Sequence, residues 1–396
     1  MGEYMNSAVM SELRLDLLEG NRADICQSCY YEDSQNKVSG RQRQLLKSAV
    51  NLINFDKTFS ASPHWERFQY SFLNQGLTDQ QPVDLQIDLG NNCNSACIMC
   101  NPTYSSKLSA DYVKLASIEP KLFAEYPKST NWADDPQLVD KFVNELSQIP
   151  NLRYIHFLGG ETLYLKSFYT ICDLLISAGL AKNISIGTTT NGTVYTPQLE
   201  NIIEEFKHVH LGISVEAFHP INDYIRYPGK IDQITANIKK FLDLRKRTDL
   251  HLSLRITPTV LSVAHLDTVF EFMLDNKVTA ESCNILHSPS CLRIELLPED
   301  IKQKIITRID RVIDRYGLAA TDEIIVNRRR EDLIDPVNAS VIFEYKNFLQ
   351  SYTVPNNVEE DRYNLIKYIK AFETLRHNNI LDYLPDYEKF LRSYGY

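Results

Sequence analysis

Apolar and polar positions along this chain keep two alternating rhythms. Between Val83 and Leu89, the apolar Val83, Leu85, Ile87 and Leu89 alternate with Asp84, Gln86 and Asp88, the period-two pattern of a half-buried strand. Further on, helix-period and strand-like runs take turns. The spacing predicts helices over Gln137–Gln148, Ser167–Ala178, Pro197–Phe206, Gln233–Arg247 and Ala264–Asn276. It predicts strands over Arg153–Leu158, Ile184–Thr190, Val209–Val215, Leu252–Val260 and near Ser282–His287. With the first strand these make six β-units separated by helices, for which the economical α/β architecture is an open, parallel (β/α)6 partial barrel. A closed eight-unit barrel needs two more strands than the pattern supplies. A doubly wound sheet is the alternative fold.

The flanks read differently. Ser7–Gly20 has helical spacing and a stop at Glu19-Gly20-Asn21. From Arg41 to about Phe72 the pattern is helix and loop, with a break at Pro63-His64-Trp65. Residues 101–135 form a polar, helix-compatible insertion cut by Pro120 and Pro127 and ended by Pro136. A long connection at that end of the sheet is expected to act as a lid or to touch substrate. Leu292–Leu297 reads as an edge strand, and Pro298-Glu299-Asp300 opens a helix reaching about Tyr316. Helical spacing returns in Ser340–Phe348 and Tyr363–Leu375. The expected division is an amino-terminal helical module (1–80), the barrel (81–290) and a carboxyl-terminal edge strand with helical extension (291–396).

Composition narrows the function. With 396 residues, 43% hydrophobic and 23% charged, the chain buries a sizeable core as one large domain with appendages, or two domains. A net charge of −9 and a pI near 5.6 argue against a general polyanion-binding surface, so nucleic acid is an unlikely partner. No apolar run approaches a membrane span, and Met1-Gly-Glu-Tyr-Met-Asn lacks a basic-then-apolar signal pattern, so the expected location is the cytoplasm. Eight cysteines in such a chain read as metal ligands and core thiols before disulfides. Cys172, in the apolar run Phe168–Ile176, reads as a small core residue.

Three of those cysteines follow the first predicted strand in Cys93-Asn94-Ser95-Ala96-Cys97-Ile98-Met99-Cys100. A strand's carboxyl end is where ligands and chemistry collect in α/β folds. A structural zinc site asks for four protein ligands, normally in paired units, so three thiols with no adjacent fourth fit it poorly. A [4Fe–4S] cluster fits better, because three thiolates hold three irons and leave one open to a small chelating ligand.

Cys93-x3-Cys97-x2-Cys100, with apolar Met99 before the last thiol, resembles the signature of the radical S-adenosylmethionine (SAM) superfamily. The resemblance implies that SAM binds the open iron through its amino and carboxylate groups and is cleaved by one electron to methionine and a 5′-deoxyadenosyl radical. It implies roles for several strand ends. Gly159-Gly160-Glu161, by itself a tight turn, is similar to the element that hydrogen-bonds the methionyl amino group. Thr189 and Asn191, in Thr188-Thr189-Thr190-Asn191-Gly192, resemble the third-strand element bordering SAM. Ser214 would lie near the ribose or carboxylate, Met99 against the adenine, and Glu216 where many relatives carry Asp. Arg255, a charge among apolar neighbours, is expected to point into the barrel mouth toward SAM or substrate, while Arg226 reads equally as an anion contact or a surface residue in a Pro-Gly turn.

Within the superfamily the chain resembles proteins with an amino-terminal twitch-type auxiliary cluster module. Cys26-x2-Cys29 with Glu32, Gly40 and Arg41, the Asn101-Pro102 and Ser105-Ser106 after the loop, and Asp382-Tyr383-Leu384-Pro385 carry that resemblance. The chain departs from it in lacking a further cysteine-bearing hairpin before the first helix. Either that auxiliary site has decayed, or Cys283 and Cys291 complete it with Cys26 and Cys29. The expectation is a radical SAM enzyme with a [4Fe–4S] cluster, SAM and an electron donor such as flavodoxin or ferredoxin. Its substrate is expected to be a peptide, with a small metabolite, sugar or nucleotide second. A non-catalytic Fe–S or zinc interaction protein is the reading from another class.

Overall fold

A computed structural model describes residues 2–34, 41–42, 63–79, 81–123, 126, 131–149, 152–280, 283–319 and 334–396. The chain divides into two compact units, the first drawn mainly from Met1–Val83 and the second from Asp84 onward. In the first unit, helix α1 (Ala8–Leu18) is capped by Ser7, whose hydroxyl accepts from Met10 N–H at 3.4 Å. Helix α2 spans Gln27–Ser34, and α3 spans Pro63–Leu73 and packs on α1. Pro63 therefore opens a helix where the sequence pattern suggests a break, because the first helical turn has no use for the amide proline lacks. Gly40 lies outside the described residues.

The second unit is built on six parallel strands in the order β1–β6: β1 (Asp84–Asp88), β2 (Tyr154–Leu158), β3 (Ser185–Thr190), β4 (His208–Ser214), β5 (Leu250–Arg255) and β6 (Thr279–Ala280). The order follows the sequence, and the sheet does not close on itself, as expected of an open partial barrel. Between strands run α4 (Ser106–Ile118), α5 (Pro136–Ser147), α6 (Lys166–Ser177), α7 (Pro197–Glu205), α8 (Ile231–Arg245) and α9 (Leu266–Asn276). One sheet face carries Ile155, Phe157, Ile186, Val209, Leu211, Ile213, Leu252 and Leu254, all buried. Each such side chain contributes about 1.5–3 kcal/mol by leaving water.

The opposite face is polar, and the register lays it out in rows. Gln86, His156, Gly187, His210 and His251 stand side by side, and the next row toward the carboxyl ends holds Asp88, Leu158, Thr189, Gly212 and Ser253. Ser214 and Arg255 are paired beyond them. His210 Nε2 meets Ser253 Oγ at 2.9 Å, so the first two rows are linked to each other.

Two predicted strands resolve otherwise. The last strand is Thr279–Ala280, and the stretch from Cys283 to His287 is not a strand. Lys277, at φ +50°, ends α9 and leads at once into β6. The amides of Cys283 and Asn284 then go to the Glu344 carboxylate (3.3 Å) and the Tyr345 hydroxyl (3.0 Å) instead of to β5. Leu292–Leu297 is no edge strand but two 3-10 turns, Ser290–Leu292 and Ile294–Leu296. Leu292, Ile294 and Leu296 are all fully buried, so their period-two spacing imitates a strand while backbone bonds run three residues back. Helix α10 (Glu299–Tyr316) begins after Pro298 as expected and ends at Gly317. Helices α11 (Ile334–Ser351), α12 (Val358–Arg376) and α13 (Glu388–Ser393) follow, α11 beside β6 and α12 beside α4.

Candidate active site

The loop from Cys93 to Cys100 is held by hydrogen bonds from several directions. From β2's end, Gly160 N–H donates to Gly90 O at 2.8 Å and Glu161 N–H to Asn92 O at 3.0 Å. That pairing leaves no room beside Gly160, where a Cβ would stand 2.5 Å from the carbonyl oxygens of both Asn91 and Asn92. From β3's end, the Asn191 side-chain amide donates to Asn94 Oδ1 (2.7 Å) and Ser95 Oγ (2.9 Å). From the segment after β4, Tyr227 O accepts from Ala96 N–H at 2.7 Å and Ile225 O accepts from Ile98 N–H at 2.9 Å.

Two serines after the loop close it on itself. Ser105 Oγ donates to Ser95 O at 2.7 Å while capping α4 through Leu108 N–H, and Ser106 Oγ accepts from Cys93 N–H at 3.3 Å. From the carboxyl-terminal α12, Tyr368 OH donates to Ile98 O at 2.6 Å and Arg376 Nη2 to Ala96 O at 2.5 Å.

Glu161 is 2% exposed and ties β2 to β3. Its carboxylate accepts from Thr190 Oγ1 and Asn191 N–H, both at 2.6 Å, and from Leu163 N–H at 3.2 Å. Burial pushes its pKa up to about 6, against the pull of those three donors. At the next strand end, Glu216 is fully buried, accepting Arg226 Nη2 at 2.5 Å and Thr257 N–H at 2.8 Å. Arg226 is no surface residue of a turn: its side chain is 11% exposed, and Nη1 stands 3.8 Å from Cys97 Sγ.

The three thiols share one environment. Burial pushes Cys93 and Cys100 each up to about 12 and raises Cys97, and each of the outer two is raised further by a charge on a neighbouring thiol of the trio. Left alone they stay protonated. A cationic inorganic cluster supplies the compensation that turns buried thiols into thiolates, and the donor set fits one. Among the described residues no group of three or more His, Cys, Asp or Glu is gathered so that it could hold a metal ion.

The remaining expected positions are distributed as follows. Thr189 and Ser214 are half-buried on the polar sheet face, and Arg255 lies across Gly212, where a Cβ would be 2.8 Å from its Nε. Met99 is half-buried in the loop, and Gly159 stands at the end of β2 beside Gly160. Cys172 is a fully buried core residue of α6. Cys26 and Cys29 belong to the first unit; Cys283 and Cys291 belong to the second, Cys291 buried in a 3-10 turn. Tyr368 and Arg376 escape sequence reasoning, because nothing local marks them as neighbours of a loop some 270 residues away.

Residues 87–259 match the family model described as the Radical SAM superfamily. No curated protein matches the sequence. Among solved structures the chain is similar to Streptococcus suis SuiB bound to S-adenosylmethionine, 13% identical over 65% of this chain and 55% of that one, TM-score 0.37. It is also similar to SuiB bound to the precursor peptide SuiA (14% identical, 68% and 54% covered, TM-score 0.37). A third is native anSMEcpe with bound AdoMet (16% identical, 60% and 61% covered, TM-score 0.40). The chain thus spans less than two thirds of the length of these structures. The family match over residues 87–259 coincides with the in-order parallel sheet and with the three-cysteine loop after its first strand, so this stretch is similar to the radical SAM superfamily, whose shared cofactors are a [4Fe–4S] cluster and SAM.

Proposed function

We propose that the protein is a SAM-dependent radical enzyme in which Cys93, Cys97 and Cys100 hold the [4Fe–4S] cluster. One observation supports this above the others: the thiol loop is hydrogen-bonded directly to the ends of β2 and β3, so cluster and SAM-binding elements form one fabric. When bound, the cluster and SAM supply a 5′-deoxyadenosyl radical that takes hydrogen from an unactivated carbon of the substrate. The backbone of Gly159, Gly160 and Glu161 would hold the methionyl group, Thr189, Asn191 and Ser214 would border the nucleoside and carboxylate, and Met99 would border the adenine. Arg255 stands toward SAM or substrate. Anaerobic reconstitution tests the reading: the native chain should bind iron and release 5′-deoxyadenosine from SAM, and a Cys93→Ala, Cys97→Ala, Cys100→Ala variant should do neither. A triple variant that keeps the iron and still cleaves SAM sinks it.

The substrate arm of the proposal is a peptide, with a small metabolite, sugar or nucleotide as its rival. Deuterium transfer from labelled candidates into 5′-deoxyadenosine distinguishes them. An auxiliary cluster on Cys26, Cys29, Cys283 and Cys291 would add iron beyond one cluster's content, and that excess would survive the triple substitution. A non-catalytic Fe–S or zinc interaction protein would bind no SAM, which equilibrium SAM binding to reconstituted protein decides.

A further inference from the structure

Cys97 is set apart from the two thiols that flank it. Its residue is 8% exposed, and guanidinium groups approach it from two elements. Arg226 points Nη1 at the sulfur at 3.8 Å while Nη2 donates to Glu216 Oε1 at 2.5 Å. Glu216 has no exposed surface; its other oxygen accepts Thr257 N–H at 2.8 Å, and its own N–H donates to Asn222 Oδ1 at 3.0 Å. Arg376, with a side chain 2% exposed, lies near enough on α12 for its charge to act on the Cys97 thiol. Arg226 therefore cannot swing away without leaving a buried carboxylate unpaired.

We propose that Arg226, oriented by Glu216, donates to the Cys97 thiolate and holds the reduction potential of the loop's cluster above the value three thiolates alone would set. This rests on the function proposed above. Reduction adds one electron, delivered by an external one-electron donor, to a site that is already thiolate-rich. A cation and an N–H···S contact stabilise the reduced form more than the oxidised one, and hydrogen bonds to the sulfurs are among the factors that set such potentials. Glu216 acts in the opposite electrostatic sense, so the pair is a dipole with its positive end on the sulfur.

The two partners therefore predict shifts of opposite sign, which a merely structural role would not. Full-length protein is reconstituted anaerobically without SAM, its iron and sulfide are measured, and the cluster is titrated potentiometrically with electron paramagnetic resonance detection. Arg226→Gln should move the midpoint to more negative potential and Glu216→Gln to more positive potential, with Arg226→Lys closer to the native value than Arg226→Gln. Unchanged midpoints at full cluster content, or both glutamine variants moving the same way, overturn the proposal. Should Arg226→Gln fail to assemble a cluster, Glu216→Gln and Arg226→Lys decide it: a positive shift for the former with a near-native latter supports it, and no shift for the former overturns it. A native chain that assembles no cluster at all refutes instead the radical SAM assignment of the loop.

Discussion

Glu161 shows how a buried carboxylate can be both costly and retained. Its pKa of about 6 exceeds that of an ordinary glutamate because burial outweighs three donors. A raised acid pKa means the folded state holds its proton over a range where the unfolded chain has lost it. Stability should therefore fall as pH rises through the window from about 4.5 to about 6, by roughly 2 kcal/mol, and level off above it. Urea unfolding of cluster-free protein across this window reads the slope, and Glu161→Gln should flatten it by that amount. The same comparison tests Gly160. A methyl there would meet the carbonyl oxygens of Asn91 and Asn92 at 2.5 Å, so Gly160→Ala should cost about 1–3 kcal/mol and lower cluster incorporation, read by urea midpoint and iron content.

At the scale of elements, α12 is a wall of the thiol loop. Arg376 lies between the rings of Phe372 (4.3 Å) and Tyr227 (4.7 Å) and reaches Ala96 O and Asp111, while Tyr368 reaches Ile98 O. These bonds satisfy loop carbonyls that no strand or helix would otherwise cover. Tyr368→Phe should cost about 1 kcal/mol, and Arg376→Ala about 2–3 kcal/mol because a charge-assisted bond and its apolar stem are both lost. Thermal unfolding of the cluster-free variants measures both. An Arg376→Ala protein as stable as the native chain would show that α12 does not brace the loop.

For the second unit as a whole, an aromatic cluster joins the insertion after the thiol loop to the carboxyl-terminal helices. Phe123 is 1% exposed, with ring centroids 5.1 Å from Tyr112 on α4, 5.0 Å from Tyr368 and 5.7 Å from Phe372 on α12. Phe123→Ala should cost about 3–5 kcal/mol and increase hydrogen exchange in both α4 and α12, since the void lies between them. Exchange confined to α4 would mean that α12 is held independently. The residues that meet here are some 250 positions apart, so long loops close before these contacts form and folding of this unit should be slow for its size.

Much of this protein was legible locally. The alternation of apolar residues placed five of the strands to within about two residues at their starts, because each outward face must be buried against a helix whatever the sequence distance. The expectation for Cys93, Cys97 and Cys100 is local in the same way: their spacing lies within one loop, so it suggests its metal chemistry without a partner from elsewhere. The same holds for Gly160, whose missing side chain announces a close backbone approach. The tertiary structure decided what local pattern cannot carry. Leu292, Ile294 and Leu296 alternate like a strand, but these three are buried from two 3-10 turns whose own backbone bonds replace sheet pairing. Arg226 reads from sequence equally as an anion contact or as a surface residue of a Pro-Gly turn, and only the packing of β4 and the thiol loop around it buries its charge against Glu216 and Cys97. Arg376 and Tyr368 reach the loop only because α12 packs beside α4, a contact set by shape across the chain. Spacing within a loop determines which metal chemistry its thiols suit; which charges surround those thiols depends on elements that meet only in the folded molecule.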